Sequence, residues 1–320
     1  MNTLKKKEAK LNNMAFLFPG QGSQVVGMGR SFYDDFSLAR EIFAHADEVL
    51  GFKISRLCFE GPEEKLRLTQ NTQPALLVVS HIAYLLLERE PRIAAGHSLG
   101  EYSALVAAGS LGFSEALRLV HKRGKYMQQA VPVGVGAMAA VLGIDYKSVE
   151  KVLADTEKGV VEIANWNSQE QIVIAGHEQA VKEALDLINP PRSVILPVSA
   201  PFHCKLMKSA EEKLSCDLDQ AEFKDLKFPV VTNVDAKIVH KGAEAREALK
   251  RQVSRPVLWY KSMELMRREK VDLFLEIGSG KVLSRLMRRI SRLWPLSPTI
   301  LNMENSADLE KVQDVHSGTF

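Results

Sequence analysis

The sequence is short of cysteine, of any strong excess of charge and of long apolar runs, and each shortage excludes a class of protein. Its 320 residues include only three cysteines, Cys58, Cys204 and Cys216. They are too few and too scattered for a disulfide framework, and no Cys-x-x-Cys pair offers a zinc knuckle, so a reducing, cytoplasmic setting is expected. Lys and Arg number 42 against 39 Asp and Glu, a formal net of +3. That balance excludes a protein that coats nucleic acid by bulk charge. No apolar run approaches the roughly 18 residues of a membrane span. Residues 1–13 carry Lys5, Lys6, Lys7 and Lys10 without the apolar core of a secretory signal. Neither nucleic acid nor a membrane is expected as a partner.

Metal and nucleotide motifs are missing as well. None of the eight histidines forms a His-Glu-x-x-His pair, and His177-Glu178 has no second histidine at the required spacing, so no catalytic metal is expected. Gly20-Gln21-Gly22 starts like a dinucleotide fingerprint, but Val25 stands where Gly or Ala is required, and no Lys follows Gly27 as a phosphate-binding loop demands. No cofactor is expected.

What is present is an alternation of strand and helix patterns. Ala15 to Phe18 and Ile93 to Ala95 read as short buried strands, Thr72 to Glu90 as a helix with Pro74 in its first turn, and Leu99 to Ala108 as a helix closed by Gly109. Ser114 is expected to cap a helix running to Ala130. Phe228 to Val234 and Asp272 to Ile277 read as later strands. This alternation predicts a parallel sheet covered on both faces. Between Pro132 and Ser199 the rhythm changes to βαββαβ, the ferredoxin-like unit, with strands at Ala137 to Gly143, Val160 to Ala164, Gln171 to Ala175 and Ser193 to Val198. The fold class expected is α/β: a large α/β-hydrolase-like domain in two parts, residues 14–131 and 200–301, interrupted by a ferredoxin-like subdomain at 132–199. Residues 1–13 and 302–320 are expected to be flexible tails.

One motif survives inspection. Gly96-His-Ser-Leu-Gly100 matches Gly-x-Ser-x-Gly and lies between a predicted strand and a predicted helix, the context that motif requires. Small residues on both sides permit a sharp turn, and the helix N-terminus beyond Ser98 offers free N–H groups to a developing oxyanion. A base must come from elsewhere, because a neighbour such as His97 usually points away from a tight elbow. His203, in a loop after a predicted strand, is the preferred candidate. Arg123 is the other informative residue. At about 100° per residue, it falls in the middle of the apolar half of its helix, with Leu119, Val120 and Met127. A buried guanidinium must be answered, either by an Asp or Glu of the fold or by an anionic ligand gripped through two hydrogen bonds.

Taken together, Phe18-Pro-Gly-Gln-Gly-Ser-Gln24, Gly96-His-Ser-Leu-Gly-Glu-Tyr102, Arg123, Gly136-Ala-Met-Ala-Ala140, Asn165, Asn167, Gln171-Ile-Val-Ile-Ala-Gly176 and Pro201-Phe-His-Cys204 resemble the malonyl-CoA:acyl carrier protein transacylases, in order from about Met14 to Leu301. The resemblance implies that Ser98 is the nucleophile that becomes malonylated and His203 its base. It further implies that Arg123 binds the malonyl carboxylate, that the N–H groups of Gln21 and Leu99 form the oxyanion hole, and that the main-chain carbonyl of Gln252 orients the histidine. Phe202, beside His203, suggests an acyl pocket too crowded for an α-methyl branch. Gly278-Ser279-Gly280 departs from the family's frequent Gly-Pro-Gly and touches only the rigidity of that turn.

The implied partners are malonyl-CoA, as substrate, and an acidic acyl carrier protein, in the service of fatty acid synthesis. Between Arg246 and Arg292 the chain holds 13 basic and 5 acidic residues, a local net of +8, which is expected to steer an acidic carrier to the site. A monomer is expected. A free-standing acyltransferase of a polyketide synthase, or a serine esterase or thioesterase, is the alternative reading.

Overall fold

The computed structural model describes residues 13–132, 134–198 and 200–317. Its larger sheet has the order β10-β9-β1-β2-β7-β8, built from β1 (Met14–Phe18), β2 (Ile93–Gly96), β7 (Val230–Val231), β8 (Ile238–Val239), β9 (Leu273–Ile277) and β10 (Thr299–Met303). All neighbours run parallel except the β7–β8 pair. Strands β1, β2 and β9 are buried along their whole length, as expected where helices cover both faces of a sheet. Phe18 pairs with Gly96, so the loops leaving β1 and β2 emerge side by side at one edge. This is the edge where parallel sheets collect their chemistry.

The smaller sheet has the order β4-β5-β3-β6 and is antiparallel throughout. Its strands are β3 (Gly136–Leu142), β4 (Val161–Ser168), β5 (Gln171–His177) and β6 (Arg192–Ile195), with helices Tyr146–Leu153 and Glu178–Ile188 packed on one face through Val149, Val181 and Ala184. Asp145 caps the first of these helices by accepting from the N–H groups of Lys147 and Ser148. Strand β4 is stitched to the large unit, because Trp166 N–H donates to the Val257 carbonyl and Val257 N–H to that of Ala164.

Several expectations needed correction. The helix expected to begin at Thr72 runs Thr69–Leu87, so Pro74 lies inside it. The missing N–H of Pro74 leaves the Gln70 carbonyl without its helical donor, and the His121 Nδ1–H supplies one at 2.8 Å. Ser114 is not a cap: the helix is Phe113–Gln129 with Gly112 at its N-cap, and the Ser114 hydroxyl pairs with His45 Nε2 at 2.7 Å. The strand expected over 228–234 keeps only two residues, and β6 ends at Ile195.

The tail expected at 302–320 is largely structured: β10 extends the sheet on β9, and a helix occupies Ser306–Ser317. Leu309 and Val312, three residues apart on that helix, are both buried in the main core, enough apolar surface to dock an otherwise polar segment. The other expected tail, residues 1–13, lies outside the described residues apart from Asn13, whose carbonyl accepts from the Asp272 N–H. No helix among the described residues is long and apolar enough to cross a membrane.

Candidate active site

The turn after β2 is forced by contact. A Cβ on Gly96 would lie 1.8 Å from the Gly100 carbonyl, and one on Gly100 would lie 2.0 Å from the Phe18 carbonyl oxygen. Only glycine lets the helix start this close to both strands. Ser98 between them takes a left-handed φ of 53°, the sharp bend that lifts its hydroxyl out of the sheet. Asn233, just past β7, clamps this bend from below. Its Oδ1 accepts from the Ser98 N–H at 2.7 Å, and its Nδ2 donates to the Gly96 carbonyl at 2.7 Å.

His203 reaches the same point from the loop after β6. Its Nδ1 lies 2.9 Å from the main-chain carbonyl of Gln252, which can only accept, so Nδ1 carries the proton and Nε2 is free to receive one. Nε2 lies 2.8 Å from Ser98 Oγ. Burial, reinforced by the nearby Arg123 cation, pushes His203 down to about 3, so the imidazole is neutral at physiological pH. Among the described residues no carboxylate hydrogen-bonds to His203; the third position belongs to a carbonyl. His97, adjacent to the serine, turns away and meets Asn167 Oδ1 at 2.9 Å.

Arg123 is 1% exposed, and among the described residues no carboxylate lies within ion-pair distance of it. Neutral acceptors hold it instead: Gln73 Oε1 on one guanidinium nitrogen at 2.7 Å, and Gln252 Oε1 on another at 2.9 Å. That second nitrogen also reaches Ser98 Oγ at 3.1 Å, and the guanidinium lies 5.5 Å from the Tyr102 ring centroid. Of the two answers open to a buried arginine, the fold supplies no direct counterion. Leaving such a charge unpaired costs several kcal/mol, so the guanidinium is poised for an anion beside the serine.

Ser98, His203, Arg123, Gln21, Leu99 and Phe202 all line one cavity of about 100 Å³, with Met127, Met138, Leu196 and Val198 as its apolar wall. Gln252 stands behind it. Among the described residues neither the Gln21 nor the Leu99 N–H donates to a backbone carbonyl. A larger cavity of about 760 Å³ between the insert and the large unit holds none of the reactive groups. The Gly278-Ser279-Gly280 turn is tied in place, because Ser279 Oγ donates to the Ser23 carbonyl at 2.8 Å, on the loop that carries Gln21.

Sequence reasoning missed Gln73, Asn233, Glu101 and Tyr102. Glu101 and Tyr102 stand inside the Gly96–Tyr102 motif without a role of their own, and Gln73, the last of five consecutive polar residues from Thr69, and Asn233 left no signal, because their partners lie far away in the chain. The basic stretch also changes in meaning. Lys250, Arg251, Arg267 and Lys281 pair with Asp219, Asp235, Glu264 and Glu304. Arg285, Arg288, Arg289 and Arg292 are exposed beside Leu293 and Leu296, and among the described residues none of the four has a carboxylate partner.

The sequence profile of the acyl transferase domain matches residues 15–292. A malonyl CoA-acyl carrier protein transacylase of Bacillus subtilis (strain 168) is 47% identical over 291 residues, spanning 88% of this chain and 92% of that one. Among solved structures, an acyl carrier protein S-malonyltransferase from Vibrio cholerae superposes with a TM-score of 0.90 at 40% identity, covering 94% of this chain and 99% of the other. A malonyl-transacylase solved in complex with a type II polyketide synthase acyl-carrier protein superposes with a TM-score of 0.90 at 41% identity, over 93% and 98% of the two chains.

Proposed function

The chain belongs to the acyl transferase domain family, and we propose that it moves a malonyl group from malonyl-CoA to the phosphopantetheine thiol of acyl carrier protein, through an ester on Ser98, to supply fatty acid synthesis. One observation carries this reading: Ser98 Oγ lies between His203 Nε2 at 2.8 Å and, at 3.1 Å, an Arg123 guanidinium with no carboxylate in contact among the described residues. The first contact activates a nucleophile. The second selects an acyl group that ends in a carboxylate.

In the first half-reaction the malonyl carboxylate takes two guanidinium hydrogen bonds of Arg123. Ser98 Oγ attacks the thioester carbon as its proton passes to His203 Nε2, and the oxyanion is received by the N–H groups of Gln21 and Leu99. The Gln252 carbonyl holds the imidazolium through Nδ1–H. Collapse breaks the C–S bond, the His203 proton goes to the leaving thiolate, and coenzyme A departs. In the second half the carrier thiol gives its proton to His203 and attacks the ester carbon, and collapse returns the proton to Ser98 Oγ. Every proton and bond is supplied by these groups and the two substrates. No step calls for a metal or cofactor.

A monoacyl chain leaves the guanidinium unanswered, which disfavours it by a few kcal/mol. Phe202, buried against the apolar wall, crowds an α-methyl branch. An acidic carrier is drawn by the arginines at 285–292, which have no carboxylate partner among the described residues, and the protein acts as a cytoplasmic monomer. The test is intact-mass spectrometry after mixing with malonyl-, methylmalonyl- and acetyl-CoA. One malonyl adduct, lost on adding holo carrier protein, is expected. Free malonate released without carrier, or equal labelling by all three donors, would refute the reading.

A further inference from the structure

Glu101 is 1% exposed, the first carboxylate after Ser98 in the chain, and takes no part in the reaction as written. One of its oxygens, Oε2, accepts from Gln252 Nε2 at 2.8 Å and from the Asn233 N–H at 3.1 Å. The other, Oε1, is buried without a partner. Gln252 Nε2 also donates to the Ser98 carbonyl at 2.9 Å, and its Oε1 faces Arg123.

An amide side chain has one accepting end and one donating end, and they exchange when it turns over. With the amide reversed, its NH₂ would face the Arg123 guanidinium and its oxygen would face a carboxylate and a carbonyl, three mismatched pairs in a buried site. We propose that Glu101 is a positioning residue: by presenting an acceptor at Oε2 it fixes the Gln252 amide with its oxygen toward Arg123, and so sets the receptor for the acyl carboxylate. This rests on the reading of Arg123 as that receptor. Burial raises Glu101 to about 7, and a proton on the unpartnered Oε1 leaves Oε2 an acceptor, so the device works in either protonation state. His203 is held by the Gln252 main chain, which the amide's orientation does not alter.

The role therefore separates from simple support of the fold. Loss of Glu101 Oε2 disturbs an Arg123 contact that matters to malonyl-CoA and not to acetyl-CoA, while nucleophile, base and oxyanion hole serve both donors. The test is the ratio of kcat/KM for Ser98 loading by the two donors, in Glu101→Gln, whose amide oxygen can occupy the Oε2 position, and in Glu101→Asp, which keeps the carboxylate but withdraws it by one carbon. Expected are a ratio within about threefold of wild type for Gln and at least a tenfold lower ratio for Asp, mostly through KM for malonyl-CoA. Equal losses with both donors in the Asp variant, or a Gln variant as unselective as Asp, would overturn the proposal. If Asp does not fold, Gln252→Ala takes its place, with the same selective tenfold loss expected and the same equal loss overturning the idea. Wild-type loading, read in the same assay, separates failure here from failure of the malonyl-transfer reading itself.

Discussion

His203 and Arg123 share one anchor: the main-chain carbonyl of Gln252 takes the imidazole Nδ1–H at 2.9 Å, and its side-chain oxygen takes a guanidinium N–H at 2.9 Å. The proposed base and the proposed carboxylate receptor are thus set by the two ends of a single buried residue. Their spacing around Ser98 is fixed before any substrate arrives, which lowers the cost of ordering them on binding.

Replacing Arg123 by Ala is expected to lower kcat/KM for malonyl loading by about 100-fold, the loss of two charge-assisted hydrogen bonds. Loading from acetyl-CoA should persist or rise. The fold should survive at a lower melting temperature, because the Gln73 and Gln252 side-chain oxygens lose their donor, about 1 to 3 kcal/mol for each buried group, while a buried charge without a carboxylate in contact among the described residues is removed. Intact mass with each donor and a thermal melt check all three outcomes, and full malonyl activity would refute the carboxylate assignment.

Ser98→Ala should abolish the acyl-enzyme while leaving the melting temperature near that of the parent. Asn233→Ala should do the reverse in part. It leaves the Ser98 N–H and Gly96 carbonyl without partners, a cost of about 1 to 3 kcal/mol per buried group, so a lower melting temperature should accompany slower loading. An Asn233→Ala protein with unchanged stability would show that the clamp contributes little.

The depressed His203 pKa predicts an unusual acid limb. An ordinary histidine base is half lost near pH 6.5, whereas His203, at about 3, stays neutral well below that. Pre-steady-state loading of Ser98 should therefore hold between pH 6.5 and 5. The same shift has a stability sign. Between about 3 and 6.5 the unfolded chain binds a proton that the folded site refuses, so His203 stabilises the native state above that window and the contribution is lost as pH falls through it. Glu101, raised to about 7 by burial, acts oppositely, since its stabilising effect lies at low pH and fades as pH rises through the range from its ordinary value to about 7. A half-loss of loading near pH 6.5 would show that the imidazole is as exposed as in solution.

The parallel sheet and the insert were legible because their signals are local: apolar runs at β1, β2 and β9, and the βαββαβ rhythm between Gly136 and Ile195; the order of the strands was not, since pairing between distant segments leaves no local signal. Ser98 and Arg123 were legible for the same reason, one through its flanking glycines and one through its place on a helix face. Gln73, Glu101 and Asn233 were not, because what defines them is a partner 50 to 151 residues away, and no spacing rule encodes such a pair. The C-terminal helix escaped notice because it docks through few apolar residues. The charge run was legible as a sum but misleading in extent, since much of it is neutralised by acids brought in from elsewhere.

That neutralisation sharpens the expectation for the carrier. Arg251 is already matched by Asp235 at 2.7 Å, and Lys250 by Asp219 at 2.5 Å, so reversing either breaks an existing pair and confounds the result. Arg288 and Arg292 have no such match among the described residues, and Leu293 beside them is 75% exposed, a basic surface with an apolar contact at its edge. Arg289 donates to Gln171 Oε1 on the insert at 2.6 Å and so carries a second role. The discriminating variant is therefore Arg288→Glu with Arg292→Glu, and Arg289→Glu serves as a comparison. Steering by two exposed charges acts mainly on encounter and is screened by salt. The double variant should raise KM for carrier protein by about tenfold at low ionic strength, with the gap to wild type closing at high salt. Loading from malonyl-CoA, which does not involve the carrier, should be unchanged. A carrier KM that does not move would take the docking surface away from Arg288 and Arg292, and a parallel fall in malonyl loading would mean that the substitutions had damaged the site itself.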